Sequence, residues 1–163
     1  MNYKIGDPVM HWTYGFGKIV GLEERDLFGK TTLYYAVKLH DLTIWVPADE
    51  KLNDRLRPPT PAADFKALFK ILTSPGDPLP EDRHERKLHL VERLKDGRAE
   101  SMCRVLRDLL SFQQIKSLNE NDQYYLKRVQ ASLLGEWGFS FSIPPTQAAT
   151  DLNSLLNPHL SAD

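Results

Sequence analysis

The chain has 163 residues, of which 41 % are hydrophobic and 26 % are charged, which is typical of one ordinary globular domain or two small ones. Its formal net charge is −1 at pH 7, which excludes a global electrostatic attraction to nucleic acid, so any DNA contact must come from a local patch. The lone cysteine, Cys103, excludes an internal disulfide, and no apolar run approaches the roughly 18 residues of a membrane helix, so we expect a cytoplasmic protein without a signal peptide.

Residues 1–57 have the pattern of a small β domain. Glycines separate short runs of apolar and β-branched residues, and residues 33–39 alternate with a period of two. Residues 26–29 are typical of a hairpin loop that ends in a glycine, which tolerates positive φ. Five short strands with tight turns predict an SH3-like or Tudor-like barrel, which Gly15 and Gly17 help to close by bending a strand.

A stiff, proline-rich linker follows at residues 58–61, and we place the domain boundary there. From Ala62 onward the apolar residues recur with helical spacing, interrupted by short turn signals. This pattern predicts a compact all-α domain of about five helices over residues 58–163. The chain is therefore expected to be a two-domain α+β protein with the β domain first.

Three details of the helical half can be predicted from local patterns. We expect the second helix to place Leu88, Val91 and Leu94 in the core. Asn119, followed by Asp122 at the third helical position, predicts the N-cap of the fourth helix. Gly138 is expected to lie between the fourth helix and a short last one.

The sequence contains no pattern typical of a catalytic or metal site. His84 and His89 are five residues apart, which places them on different faces of a helix. Cys103 lies in the middle of a predicted helix, as a small buried hydrophobe does. The run 15–17 lacks the third glycine and the following helix of a phosphate-binding loop. We expect no enzymatic activity, no cofactor, no metal and no small-molecule substrate.

Basic and aromatic residues give the more useful signals, and each has two interpretations. Arg83, Arg86 and Lys87 crowd the predicted second helix and are of the type that meets DNA phosphates. Acidic residues are interspersed among them, which is also typical of an ordinary solvated helix face. The many aromatic residues of the first domain either fill its core or form an exposed protein-docking patch.

Several short motifs run through both halves of the chain. They are Lys4-Ile5-Gly6-Asp7-Pro8-Val9, Gly15-Phe16-Gly17-Lys18-Ile19, Gly29, Tyr34-Tyr35, Val46-Pro47, Phe65 to Leu72, Glu92 to Gly97, Val105 to Leu110 and Leu118 to Leu134. Together they resemble the CarD-like bacterial transcription factors, and the first group also resembles the RNA polymerase-interacting domain of the transcription-repair coupling factor.

The resemblance implies a partner for the β domain. In this family the barrel binds a lobe of the RNA polymerase β subunit. Arg25 matches a family arginine used in that contact, and Trp45 replaces a second one just before the Val-Pro pair. Lys18 is a further candidate for the same surface.

The resemblance also implies that the helical domain contacts promoter DNA at the upstream edge of the transcription bubble and modulates the stability of the open complex. A family tryptophan on the second helix wedges into the minor groove, and Arg83 stands at its position, with Arg86 and Lys87 beside it. No membrane contact is implied. The alternative is a protein-interaction adaptor on the same fold that does not bind DNA.

Overall fold

The structure, a computed structural model, describes residues 2–160. The chain divides into two compact units between Pro59 and Thr60. The first unit is a β structure and the second is helical, and each has its own hydrophobic cluster. The two-domain α+β class predicted from the sequence is confirmed.

The N-terminal unit is an antiparallel sheet of five strands. The strands are β1 (Pro8–His11), β2 (Gly15–Leu27), β3 (Lys30–Lys38), β4 (Thr43–Pro47) and β5 (Leu56–Arg57). Their order is β4-β3-β2-β1-β5. Apolar residues from every strand meet in the core, as period-two alternation requires.

The 13-residue strand β2 pairs with two neighbouring strands along different parts of its length. Its first residues pair with β1 and the rest with β3, and the register shifts by a bulge between Ile19 and Gly21. At Gly17 an added Cβ would lie 2.8 Å from the carbonyl oxygen of Lys38 and 2.9 Å from Cγ1 of Val37. The close approach of β3 therefore requires a glycine at this position.

A two-residue turn, Phe28-Gly29, joins β2 to β3. The φ angles are +55° at Phe28 and +74° at Gly29. Positive φ at both central residues identifies a type I′ turn, which matches the twist of the flanking strands. Gly29 adopts this conformation freely, whereas the side chain of Phe28 raises the free energy by about 1–2 kcal/mol.

The C-terminal unit contains five α-helices among the described residues. They are α1 (Phe65–Thr73), α2 (Arg83–Leu94), α3 (Ala99–Gln113), α4 (Glu120–Phe141) and α5 (Pro145–Leu160). Helix α3 lies at the centre and packs against the other four. Its central position is explained by apolar residues around most of its circumference, which are buried against the neighbouring helices.

Helix α2 turns a different face to the core from the one predicted. Arg86, Leu90 and Leu94 are buried, whereas Leu88 and Val91 are 55 % and 44 % exposed. The prediction is therefore wrong for Leu88 and Val91 and confirmed for Leu94. A pattern of apolar residues places the core face incorrectly when a charged residue occupies one of its positions.

Helix α4 begins as predicted and ends later than predicted. Asn119 caps it, and Asp122 completes a capping box with the backbone of Asn119. The helix continues through Gly138 to Phe141, and Ser142 ends it in the left-handed conformation. The interruption expected at Gly138 is wrong, because a glycine inside a helix costs only about 1 kcal/mol relative to alanine, which packing can offset.

Candidate functional site

The register of the sheet defines a face that points away from the core of the N-terminal unit. In β3, Tyr35 and Val37 point inward, so their neighbours Tyr34, Ala36 and Lys38 point outward. Residues paired directly across strands point to the same side. We call the resulting surface the outer face. It is formed by Lys18, Gly21, Glu23, Arg25 and Leu27 of β2, Thr32, Tyr34, Ala36 and Lys38 of β3, and Thr43, Trp45 and Pro47 of β4.

Arg25 and Trp45 are in contact on the outer face. The guanidinium carbon of Arg25 lies 4.2 Å from the centroid of the Trp45 ring, in cation–π geometry. Nε of Arg25 also donates a hydrogen bond of 3.4 Å to a carboxylate oxygen of Glu23. Arg25 and Trp45 are each about two-fifths exposed, at 43 % for the arginine side chain and 38 % for the tryptophan. The pair therefore presents a planar, partly apolar and positively charged surface to solvent.

Lys18 lies on the same face, in the row of the sheet that contains Lys38. Both lysines are exposed. The structure thus brings Lys18, Arg25 and Trp45 onto one surface, although they lie on two strands that are not neighbours.

The aromatic residues of this unit divide between core and surface. Tyr3 and Tyr35 pack edge to face at 5.8 Å, and burial, followed by the charges of Tyr35 and Asp7, raises the pKa of the Tyr3 hydroxyl. By contrast, Tyr14 is 58 % exposed, and its ring packs at a tilt against that of His11, with 5.1 Å between the ring centroids. The aromatic residues of this unit therefore include both core side chains and exposed ones.

In the helical unit, the first turns of α2 line a shallow groove. Arg83, His84 and Lys87 form one wall and are exposed. The other wall is the segment from Leu118 to Gln123, which supplies amide side chains and the carboxylate of Glu120. The groove thus carries basic charge on one side and mixed polarity on the other.

Arg86 does not line this groove, and its burial argues against the predicted contact with DNA. It is only 3 % exposed, and its Nε and Nη2 donate to the two carboxylate oxygens of Asp122, each at 2.9 Å. Its Nη1 donates to the carbonyl oxygens of Pro80 and Glu81, and the guanidinium lies over the ring of Phe112. A side chain held on every side in this way cannot reach a phosphate.

Sequence analysis left the aromatic residues of the first domain, Phe28 among them, undecided between core and surface, and it placed Leu88 and Val91 in the core. Phe28 is fully exposed at the tip of the β2–β3 hairpin, and Leu88 and Val91 are exposed on α2. For Phe28 a signal was present, because the position before the turn glycine usually carries Asn, Asp or Gly. The apolar pattern of α2 contained no signal that Leu88 and Val91 would be exposed.

Within residues 2–160 there is no group of three or more His, Cys, Asp or Glu side chains that could hold a metal ion. No helix in the same part of the chain is long and apolar enough to cross a membrane.

Comparison with known proteins relates the chain to a protein family and to a curated relative. Residues 3–59 match the family model of the CarD-like/TRCF RID domain, where RID is the RNA polymerase-interacting domain. The chain is also 24 % identical over 137 residues to the "Putative transcription factor YdeB" of Bacillus subtilis (strain 168). That alignment covers 82 % of this chain and 89 % of the relative, so it extends from the β unit into the helical unit.

Proposed function

We propose that the chain is a CarD-like transcription regulator that binds the β subunit of bacterial RNA polymerase through the outer face of its N-terminal unit, since residues 3–59 match the CarD-like/TRCF RID domain. In this proposal Arg25, Trp45 and Lys18 bind the polymerase. The helical unit contacts promoter DNA at the upstream edge of the transcription bubble through Arg83 and Lys87, and so modulates the stability of the open complex. The protein acts by binding and has no catalytic step.

The observation that carries the polymerase contact is the stack of Arg25 on Trp45. Tryptophan and arginine are the residue types most enriched among side chains that dominate binding energy at protein interfaces. The stack holds both side chains at the surface before binding, which reduces the entropy that association must remove. Lys18 and Lys38 add positive charge to the same face, which favours an acidic partner surface.

The DNA contact is supported by the exposed basic side chains of α2. Arg83 and Lys87 are one helical turn apart and line the same groove. An arginine at the family's wedge position can enter a minor groove or stack on a base, although it fills less apolar space than tryptophan. Few phosphates can be neutralised by two side chains, so binding to free duplex is weak, and recruitment by polymerase supplies the effective concentration.

One observation favours the alternative of an adaptor that does not bind DNA. Arg86 is buried, so the exposed surface of α2 contains the basic residues Arg83 and Lys87 near its start. The apolar residues Leu88 and Val91 are exposed further along the helix. Exposed apolar side chains on a helix are typical of a surface that binds a protein partner.

The lifetime of the open promoter complex distinguishes a regulator that contacts DNA from an adaptor that does not. Polymerase is mixed with a promoter and the full chain, as parent, as Arg83→Ala/Lys87→Ala, or as Lys66→Ala/Lys70→Ala. The last variant removes the same charge from exposed positions on α1. We expect the parent and the α1 variant to change the lifetime equally and the α2 variant to lose the effect. An unchanged effect of the α2 variant would support the adaptor.

A further inference from the structure

Phe28 is the most exposed large apolar side chain among those described in the N-terminal unit. It stands at the tip of the hairpin formed by β2 and β3 and is fully exposed, at 105 % of its reference accessible area. Its backbone has a φ of +55°, in the left-handed region that phenylalanine rarely adopts. Both its exposure to water and its backbone conformation are unfavourable in the isolated protein.

Folding alone favours a different residue at this position. A type I′ turn takes Asn, Asp or Gly at its first central residue, because these tolerate positive φ and are polar. Residues held in a strained conformation cluster at binding and catalytic sites, where the strain serves the function. The combination at Phe28 therefore points to a role in binding.

The tip is continuous with the outer face. Leu27 lies on that face by the alternation of β2 and is 47 % exposed, immediately before Phe28. The hairpin is paired up to Leu27 and Lys30, and a hydrogen bond from Oγ1 of Thr31 to Oδ1 of Asp26 links the strands beside the turn. Phe28 is thus presented at the end of a regular ladder.

We propose that Phe28 is an anchor residue that enters an apolar pocket on the polymerase surface bound by the outer face. This inference rests on the proposed function, because the occupant is the partner of Arg25 and Trp45. The charged residues Asp26 and Lys30 flank the tip. Protein interfaces commonly have this arrangement, in which an apolar anchor at the centre is surrounded by a polar rim. The outer face and the tip together form one binding surface.

The test is the affinity of the full chain for purified bacterial RNA polymerase, measured for the parent, for Phe28→Asn and for Ile5→Asn. Asparagine tolerates the left-handed conformation, so Phe28→Asn keeps the turn. Ile5 is 71 % exposed in the turn before β1 and is the matched apolar control. We expect Phe28→Asn to weaken binding by about tenfold or more, as for an anchor residue, with a thermal midpoint at or above that of the parent. Ile5→Asn should bind as the parent does.

Equal affinities of Phe28→Asn and the parent would overturn the anchor and leave the proposed function standing. A lower thermal midpoint for Phe28→Asn would also overturn it, because the side chain would then serve the fold. Absence of binding by the parent itself would overturn the proposed function, and the anchor with it.

Discussion

Arg86 and Asp122 form a bidentate ion pair in the interior of the helical unit, with both N–O distances at 2.9 Å. Asp122 also accepts a hydrogen bond from the backbone N–H of Asn119, as part of the capping box of α4. One carboxylate thus links α2 to the start of α4. The basic residue at the centre of the α2 sequence cluster is therefore a packing element, and only Arg83 and Lys87 remain for a partner.

Removing Arg86 should destabilise the helical unit strongly. Arg86→Ala leaves the carboxylate of Asp122 buried without its partner, which costs about 3–5 kcal/mol of the free energy of unfolding. Urea denaturation measures this change. Arg83→Ala, on the exposed side of the same helix, should change it by less than about 0.5 kcal/mol. Equal stabilities of the two variants would contradict the structural role of the pair.

Arg83 and Lys87 should contribute to the salt dependence of DNA binding. If each neutralises one phosphate, each alanine variant lowers the slope of log K against log salt concentration by about 0.9. The measurement is association of the chain with polymerase assembled on a forked promoter, at several salt concentrations. A slope that neither substitution changes would mean that no phosphate is bound there.

Gly17→Ala should destabilise the N-terminal unit, because the new methyl group would collide with the backbone of β3. Overpacking of this kind costs about 1–3 kcal/mol. Gly21 is the matched control on the same strand, since its added Cβ would lie 3.6 Å from that of Ala36, an ordinary contact. Thermal unfolding of both variants checks the prediction, and an equal loss in the two would refute it.

The ion pair between Arg55 and Asp49 predicts a pH effect. The hydrogen bond from Nη1 of Arg55, at 2.7 Å, and then that from the backbone N–H of Lys51 lower the pKa of the Asp49 carboxyl. The ionised carboxylate therefore stabilises the fold above the ordinary pKa of an aspartate, and this contribution is lost as the pH falls through the lowered pKa. In Arg55→Ala the pKa should rise toward its ordinary value, which NMR titration of the carboxyl carbon detects. An unchanged titration midpoint would rule out Arg55 as the main cause.

The features that sequence analysis predicted correctly are local. The hairpin at residues 26–29 depends on a glycine within the turn, and the N-cap of α4 depends on Asn119 and Asp122, which are three residues apart. Each interaction lies within a few residues, so a short pattern contains all of its parts.

The features that it missed depend on distant partners. Arg86 is buried because it pairs with Asp122, which lies 36 residues further along the chain. The sequence around Arg86 does not show that this partner exists. Once Arg86 faces inward, Leu88 and Val91 must face solvent. Similarly, Gly138 remains helical within α4, although a local pattern favours an interruption there.

The candidate site was predicted in part. Arg25, Trp45 and Lys18 were assigned by resemblance, and the structure adds the cation–π contact and the shared face that relate them. Phe28 was left undecided between core and surface, because the glycine beside it accounts for the turn. Its position before the turn glycine was the available signal, and the paired strands show its exposure directly.

The polymerase contact of the outer face is tested by the affinity of the full chain for purified bacterial RNA polymerase, measured for the parent and for Arg25→Glu/Trp45→Ala. Lys51→Glu, an exposed lysine that follows β4, is the control for charge reversal. We expect the parent and the control to bind equally and the outer-face variant to bind at least about tenfold more weakly, with its fold intact. Equal binding of all three proteins would contradict this contact.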